Sequence, residues 1–506
     1  NTNCISDGCT ITSWGDRSLN SYSVSVVNNP IYSADQINFN PAIETSNDYF
    51  NISGVNLDFT QGFEMFWVGR FDDGDGAIFA WNVGTDNHAL LMDHLGPYGT
   101  LLGAGGSWIG LADPTAYYGE KLADNDPVIG RIDHLGNGSA VSIHSNGGSA
   151  LLSGNATYSN SGANNFRIGA RSSGTQFYNG LISEVLVYNS TMTEEEKAQI
   201  ESMLAVKYGI TRTGVDDGAT ALIDERDYIA NDGAVIWDYS SNSAYHNNVP
   251  GIGRDYPAGL NQTKSKSESA GSVLTMDNGG GFSANYDYLV WGNDNAVLKS
   301  TGSTDLPSGV VSRLERVWLA QKTGTIGTVN LEFDLSSVEG PAGPGTNDLS
   351  YTALLVDDDG DFTNASIVYP FSYDNTAQTV SFDNDFGAGT EFYFTVGSTD
   401  LTEAPLPIEL LSFAVNAENS NVKLEWETAT ETNNDFFSVE RSADGLDYRE
   451  IQRVDGAGNS EKVLKYLHYD TNPLPGTSYY RLKQTDFDGT FTYSEVRKAI
   501  LQNELQ

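Results

Sequence analysis

Short apolar runs separated by turn clusters recur along most of the chain, the pattern of many β-strands rather than of long helices. Between Trp14 and Tyr188 the runs Phe63-Glu64-Met65-Phe66-Trp67-Val68, Ala77-Ile78-Phe79-Ala80-Trp81 and Leu181-Ile182-Ser183-Glu184-Val185-Leu186-Val187-Tyr188 predict strands of a sandwich. In the third run, period alone leaves the buried face open. Residues 288–292, 317–320 and 329–333 read as further strands. Val422, Leu424 and Trp426 alternate with Lys423, Glu425 and Glu427, as in a half-buried strand. Asp488-Gly489, set between residues 479–483 and 491–493, signals a hairpin.

One segment departs from this pattern. Thr191-Met192-Thr193-Glu194-Glu195-Glu196 offers two overlapping capping boxes, Thr191 with Glu194 and Thr193 with Glu196. Ile200, Met203, Leu204 and Tyr208 follow as one helical stripe, and Gly209 is placed to end it. The expected fold class is therefore all-β and multidomain, with one closing helix.

The residues also carry resemblances. Ser13-Trp14-Gly15-Asp16-Arg17-Ser18, Ile37-Asn38-Phe39-Asn40-Pro41-Ala42 and the segment from Phe177 to Glu196 resemble laminin-G-like, concanavalin A-like jelly rolls of bacterial surface proteins. Such domains usually open with a further strand before the Ser-Trp segment. Gly251-Ile252-Gly253-Arg254-Asp255 and residues 260–267 resemble an uncharacterised module that often follows a jelly roll in such proteins. Phe437-Ser438-Val439-Glu440-Arg441-Ser442-Ala443-Asp444-Gly445 and residues 480–486 resemble the fibronectin type III-like domain that precedes the sorting domain of proteins exported by the type IX pathway of Bacteroidetes. The resulting division is a jelly roll over 1–209, a β-rich module over 210–400, a Pro405- and Pro407-bearing linker over 401–409, and a fibronectin-like domain over 410–506. The resemblance further implies a precursor that continues past Gln506 into a removable sorting domain.

Composition agrees. Of 506 residues, 53 are Gly and only 19% are charged, which suits turns and short strands better than helices. With 27 Lys+Arg against 67 Asp+Glu the net charge is −40, which disfavours nucleic acid and anionic membranes and suits capture of hard cations. No run is long and apolar enough to span a bilayer as a helix. Cys4 and Cys9 are the only cysteines, and Asp7-Gly8 between them favours a turn. A small disulfide staple in an oxidising compartment is expected over a redox pair or half of a metal site.

The search for chemistry is mostly negative. Jelly-roll glycosidases place acids at alternate positions of one strand; here Glu332-Phe333-Asp334 is the nearest fragment, in another domain, so no enzymatic activity is expected. Glycine-serine elbows and phosphate loops are missing, and Gly279-Gly280-Gly281 reads as a plain loop. His88 and His94 lie an even number apart, but the six histidines (with His134, His144, His246 and His468) read as ordinary surface or core residues. Asp357-Asp358-Asp359-Gly360-Asp361 is the most informative cluster. Asp357, Asp359 and Asp361 echo the first ligands of calcium loops, although Phe362 stands where an EF-hand needs Gly. Asp72, Asp73 and Asp75 make a second, weaker calcium candidate. Trp81, Trp108, Tyr117 and Tyr118 are candidates for a glycan platform.

These readings point to a secreted or cell-surface adhesin whose jelly roll is the ligand-binding head, with Ca2+ as a bound ion. A glycan or a surface or matrix protein is the expected ligand. The alternative is a structural spacer or a self-assembling subunit of a surface filament, and a glycoside hydrolase ranks last.

Overall fold

The computed structural model of the chain describes residues 6–17, 22–55, 61–72, 76–83, 86–93, 96–97, 101–103, 107–109, 126–136, 139–148, 152–155, 165–170, 177–214, 226–301, 305–340, 343–344, 348–399, 410–418, 420–428, 431–445, 447–460, 462–487 and 491–501. It is an all-β protein with two α-helices among the described residues, Glu194–Tyr208 (α1) and the single turn Tyr239–Asn242. The chain divides into two compact units. The first comprises Asn1–Asp294, Leu319–Leu331 and Asp385–Glu391, and the second Asn295–Trp318, Glu332–Asn384 and Phe392–Gln506.

The first unit opens with an antiparallel two-sheet sandwich of jelly-roll type. One sheet of eight strands runs Cys9–Thr10, Ile31–Ile37, Asn40–Thr45, Gly180–Tyr188, Phe63–Phe71, Val128–His134, Ala140–Ser145, Leu152–Asn155. The other has six: Ser23–Val27, Tyr49–Ser53, Asn165–Ile168, Gly76–Val83, Asp86–Asp93, Gly96–Pro97. Phe63, Met65 and Trp67 point into the shared core with Phe50, Phe79, Ile132, Phe166 and Ile182. Gly130 stands opposite Trp67, and a Cβ there would come within 1.9 Å of the indole, so the ring lies directly over the glycine. The unclear period of the 181–188 run has a physical cause. Its register against Phe63–Phe71 slips between Ile182 and Glu184, and a one-residue bulge exchanges the two faces.

Helix α1 uses the second of its two capping boxes. Thr193 is the N-cap: its hydroxyl accepts from Glu196 N at 3.2 Å, while Glu196 Oε2 accepts from Thr193 N at 2.8 Å. Gly209, at φ 64°, ends the helix in the left-handed conformation. The hairpin tip Asn38-Phe39, also left-handed, then grips this end. Asn38 Nδ2 donates to Lys207 O at 3.0 Å and to Ser265 Oγ at 2.8 Å, and its Oδ1 accepts from Lys266 N at 2.7 Å. One side chain thus satisfies an orphan helix carbonyl and ties the 260–268 segment to the jelly roll. Beyond it, Gly251–Asp255 pairs with Leu260–Gln262 and Asp287–Asn293.

In the second unit, Thr352–Asp357 pairs with Ser366–Val368 and with Glu391–Ser398. The C-terminal part is a further sandwich. Leu410–Glu418, Asn421–Thr428 and Leu464–Asp470 form one sheet; Arg449–Ser460, Glu431–Ser442, Thr477–Asp486, Phe491–Tyr493 and Arg497–Ile500 form the other. Val422, Leu424 and Trp426 are buried with Phe437, Val439, Tyr480 and Leu482, as their alternation predicts. The strands around Asp488-Gly489 pair as a hairpin, Lys483 opposite Tyr493 and Thr485 opposite Phe491; the turn itself and residues 401–409 lie outside the described residues.

Candidate functional site

Two groups of carboxylates stand out, one exposed and one buried. The exposed group follows Thr352–Asp357. An oxygen from each of Asp357, Asp358 and Asp359 lies within 4.8 Å of the others, the one such group of metal-ligating side chains among the described residues. Asp357 is buried, and its Oδ1 accepts from Asp359 N at 2.8 Å and Gly360 N at 2.7 Å. Gly360 takes φ +86°, which closes the turn. Asp359 Oδ1 accepts from Asp361 N at 2.9 Å. Asp361, predicted as the third ligand, instead caps the 3₁₀ turn Phe362–Asn364 by accepting from Thr363 N at 3.1 Å; this bond holds its carboxyl below the usual range. Asp358 takes its place in the cluster. Three carboxylates with hard oxygen donors suit Ca2+ or Mg2+, and backbone carbonyls and water must complete the coordination. The turn's own stretch of sequence carries no Lys, Arg or His between Lys322 and Lys423, and the neighbouring Arg313, whose guanidinium lies 5.1 Å from the centre of the Phe362 ring, is paired with Asp305 at 2.8 Å.

The second acidic turn is placed differently. Asp72 is held by Arg70, Nε to Oδ1 at 2.7 Å, while Asp73 and Asp75 lie outside the described residues.

The buried group lies under α1 and escapes sequence reading, because its members are far apart in the chain. Glu64 and Asp133 face each other across paired strands, on the side of the sheet away from the core. Lys197 Nζ from α1 reaches Glu64 Oε1 at 3.5 Å, Asp133 Oδ2 at 3.4 Å and Glu194 Oε1 at 2.9 Å. Arg131 bridges Asp133 at 2.8 Å and Glu201 at 2.9 Å, and Arg212 holds the other oxygen of Glu201 at 3.0 Å. His144 Nε2 lies 3.3 Å from Asp133. Burial and the hydrogen bond to Asp133 push the Glu64 carboxyl up to about 9. Burial acts the same way on Asp133, but the His144 hydrogen bond and Arg131 override it and hold that carboxyl below its ordinary value. The pair therefore keeps one proton, on Glu64. The sequence signal was available in retrospect: Lys197 and Glu201 sit four apart on the apolar side of α1.

The remaining candidates separate. His134 is buried against Phe63, its Nδ1 accepting from Gly136 N at 2.6 Å, and burial lowers it to about 4. His246 receives Trp237 Nε1 at 3.0 Å on Nδ1, and its Nε2 pairs with Arg212 O at 2.7 Å. His144 belongs to the buried cluster, and His468 is half-buried on Leu464–Asp470. His88 and Trp81 occupy opposed positions on paired strands, and Trp108 lies on Ser107–Ile109, with side chains that are not described; His94, Tyr117 and Tyr118 lie outside the described residues. Cys9 starts the two-residue strand that pairs with Ile31 and Tyr32, and Cys4 lies outside the described residues. Glu332 and Asp334 are exposed on one strand, flanking buried Phe333. Gly279, Gly280 and Gly281 form a loop closed by Gly281 N donating to Asn278 O at 2.8 Å.

Comparison with known proteins adds little beyond fold. A family model described as a domain of unknown function (DUF8202) matches residues 196–389, beginning inside α1. No curated protein matches. Among solved structures, the receptor-binding domain of botulinum neurotoxin C/D mosaic serotype is 8% identical, with 88% of this chain and 90% of that one covered and a TM-score of 0.35. Domain 4 of AbnA, an extracellular arabinanase from Geobacillus stearothermophilus solved with arabinotriose, is 15% identical over 34% of this chain and 84% of that one, TM-score 0.27. The SAP-like pentraxin from Limulus polyphemus is 11% identical over 38% and 85%, TM-score 0.22. At these scores no functional argument passes from them to this chain.

Proposed function

We propose that the chain is an exported, cell-surface binding protein of adhesin type, with its laminin-G-like jelly roll as the ligand-binding head and a fibronectin-like C-terminal domain as its stalk. The observation that carries the proposal is the acidic turn. Three carboxylates converge at a strand end in a stretch without one cation, an arrangement suited to a Ca2+ ion of the kind plentiful outside cells. The jelly roll's buried acids speak for binding over catalysis: Asp133 and Glu201 are held in ion pairs beneath α1, and Glu64 is buried there beside Asp133 and Lys197. A Cys4–Cys9 bridge completes the proposal, and two free thiols in never-reduced material would argue against export.

The test is a binding screen of the whole chain against immobilised glycans and matrix proteins, in Ca2+ and in chelator, with a reducing-end assay alongside. Saturable binding that chelator weakens supports the proposal. Release of reducing ends would overturn the non-enzymatic reading, and polymerisation without any ligand would favour the filament subunit.

A further inference from the structure

The second unit carries a surface that neither the calcium turn nor the jelly roll explains. Tyr369, Phe371 and Tyr373, at alternate positions, are 65%, 60% and 51% exposed. Single exposed aromatics are ordinary, whereas three within five residues, at the entry to and on an edge strand, form an apolar patch of the sort that marks an interaction site. The segment ends in Ser372–Asp374, the last strand of its sheet. It is bonded on one side to Thr379–Asp385, with Ser372 opposite Ser381 and Tyr373 opposite Val380, and among the described residues no strand pairs with its other side.

Charge selects the occupant. The patch lies in the cation-free stretch between Lys322 and Lys423. Asp374 follows Tyr373 directly, and Asp348 joins the same hairpin by accepting from Asn375 Nδ2 at 3.0 Å. Aromatic faces and carboxylates together attract ammonium and guanidinium groups, and repel phosphate or sulfate polymers. A neutral glycan could stack on the rings and donate hydroxyls to the carboxylates, but it would leave the strand edge unused. We propose that this edge docks an extended Lys/Arg-bearing polypeptide, its backbone added to Ser372–Asp374 and its cations, on alternate sides of the added strand, drawn by the aromatic rings and by the Asp348 and Asp374 carboxylates.

The test titrates the whole chain with a labelled strand-forming peptide of alternating Lys and Val, read by fluorescence anisotropy. Its Lys→Gln counterpart and a neutral β-glucan are the comparators. Two surface variants are used, Tyr369→Ser/Phe371→Ser/Tyr373→Ser and Asp348→Asn/Asp374→Asn. The expected result is binding by the Lys peptide alone, about tenfold weaker in the aromatic variant. In the aspartate variant binding is weaker by several-fold and less sensitive to salt. If the aromatic variant does not fold, the aspartate variant decides by the same criterion. Equal Lys-peptide affinity in wild type and variants would reduce the effect to general attraction by a −40 chain and overturn the proposal. So would equal binding of the Gln peptide, or aromatic-dependent binding of β-glucan without the peptide.

Discussion

The two groups are both built on three carboxylates and differ in burial and in the charges around them. Under α1, Glu64, Asp133 and Glu201 are sealed from water and matched by Arg131, Lys197 and Arg212. At the 357–361 turn, Asp358 and Asp359 are exposed and their stretch of chain offers no cation. Burial makes the first group expensive to break, since removing one partner strands a charge in a medium that cannot solvate it. Exposure makes the second cheap to alter and leaves it able to take an ion from solution. The same residue type is thus structural adhesive in one place and a candidate ligand set in the other.

The largest effect should come from cutting the buried group. Arg131→Met leaves Asp133 and Glu201 short of a cation, and a loss of about 3–5 kcal/mol in chemical denaturation is expected. A loss below about 1 kcal/mol would mean that water reaches the cluster and that the contrast between the two groups is false.

A second effect is the pH response of Glu64. The folded chain keeps this proton up to about 9, whereas the unfolded chain releases it near the ordinary value of 4.5. Unfolding therefore releases a proton in that interval. The contribution is complete below the ordinary value and is lost as pH rises through about 9. Asp133, Lys197, Glu194, Arg131, His144, Glu201 and Arg212 surround the site and titrate with it, so the comparison must be with Glu64→Gln. Melting temperature should fall by several degrees between about pH 6 and pH 9 in wild type and fall less in Glu64→Gln. Parallel curves would remove Glu64 as the cause.

Calcium should act on the exposed group alone. At a hundredfold excess over Kd, stabilisation of the second unit by about 2.7 kcal/mol is expected, absent in Asp359→Ala. An unmoved transition in chelator would leave the turn as a solvated loop. The smallest effect is Asp359→Ala measured in chelator, which should stay within about 0.5 kcal/mol of wild type. A larger loss would show that its hydrogen bond to Asp361 N matters more to the fold than any ion does.

Local features were legible in the sequence wherever neighbours in the chain decide them. The capping box and Gly209 place α1 because a cap needs residues three or four apart. Val422, Leu424 and Trp426 predict their own burial, since alternate positions of a strand share a face. The acidic turn was visible as a cluster, but not which carboxylates converge: Asp358 lies with Asp357 and Asp359, while Asp361 caps the following 3₁₀ turn. The bulge after Ile182 was likewise hidden, because it is defined by the partner strand.

By itself the sequence determined the strand-rich class, the closing helix, the acidity and the absence of cations between Lys322 and Lys423. Only the tertiary structure decided that Glu64, Asp133, Lys197 and Glu201 meet, that Asn38 caps a helix ending at Tyr208, and that Tyr369, Phe371 and Tyr373 remain in water. The reason is physical. Propensity, capping and periodicity act over a few residues, whereas solvation and ion pairing depend on which distant strands come to lie side by side.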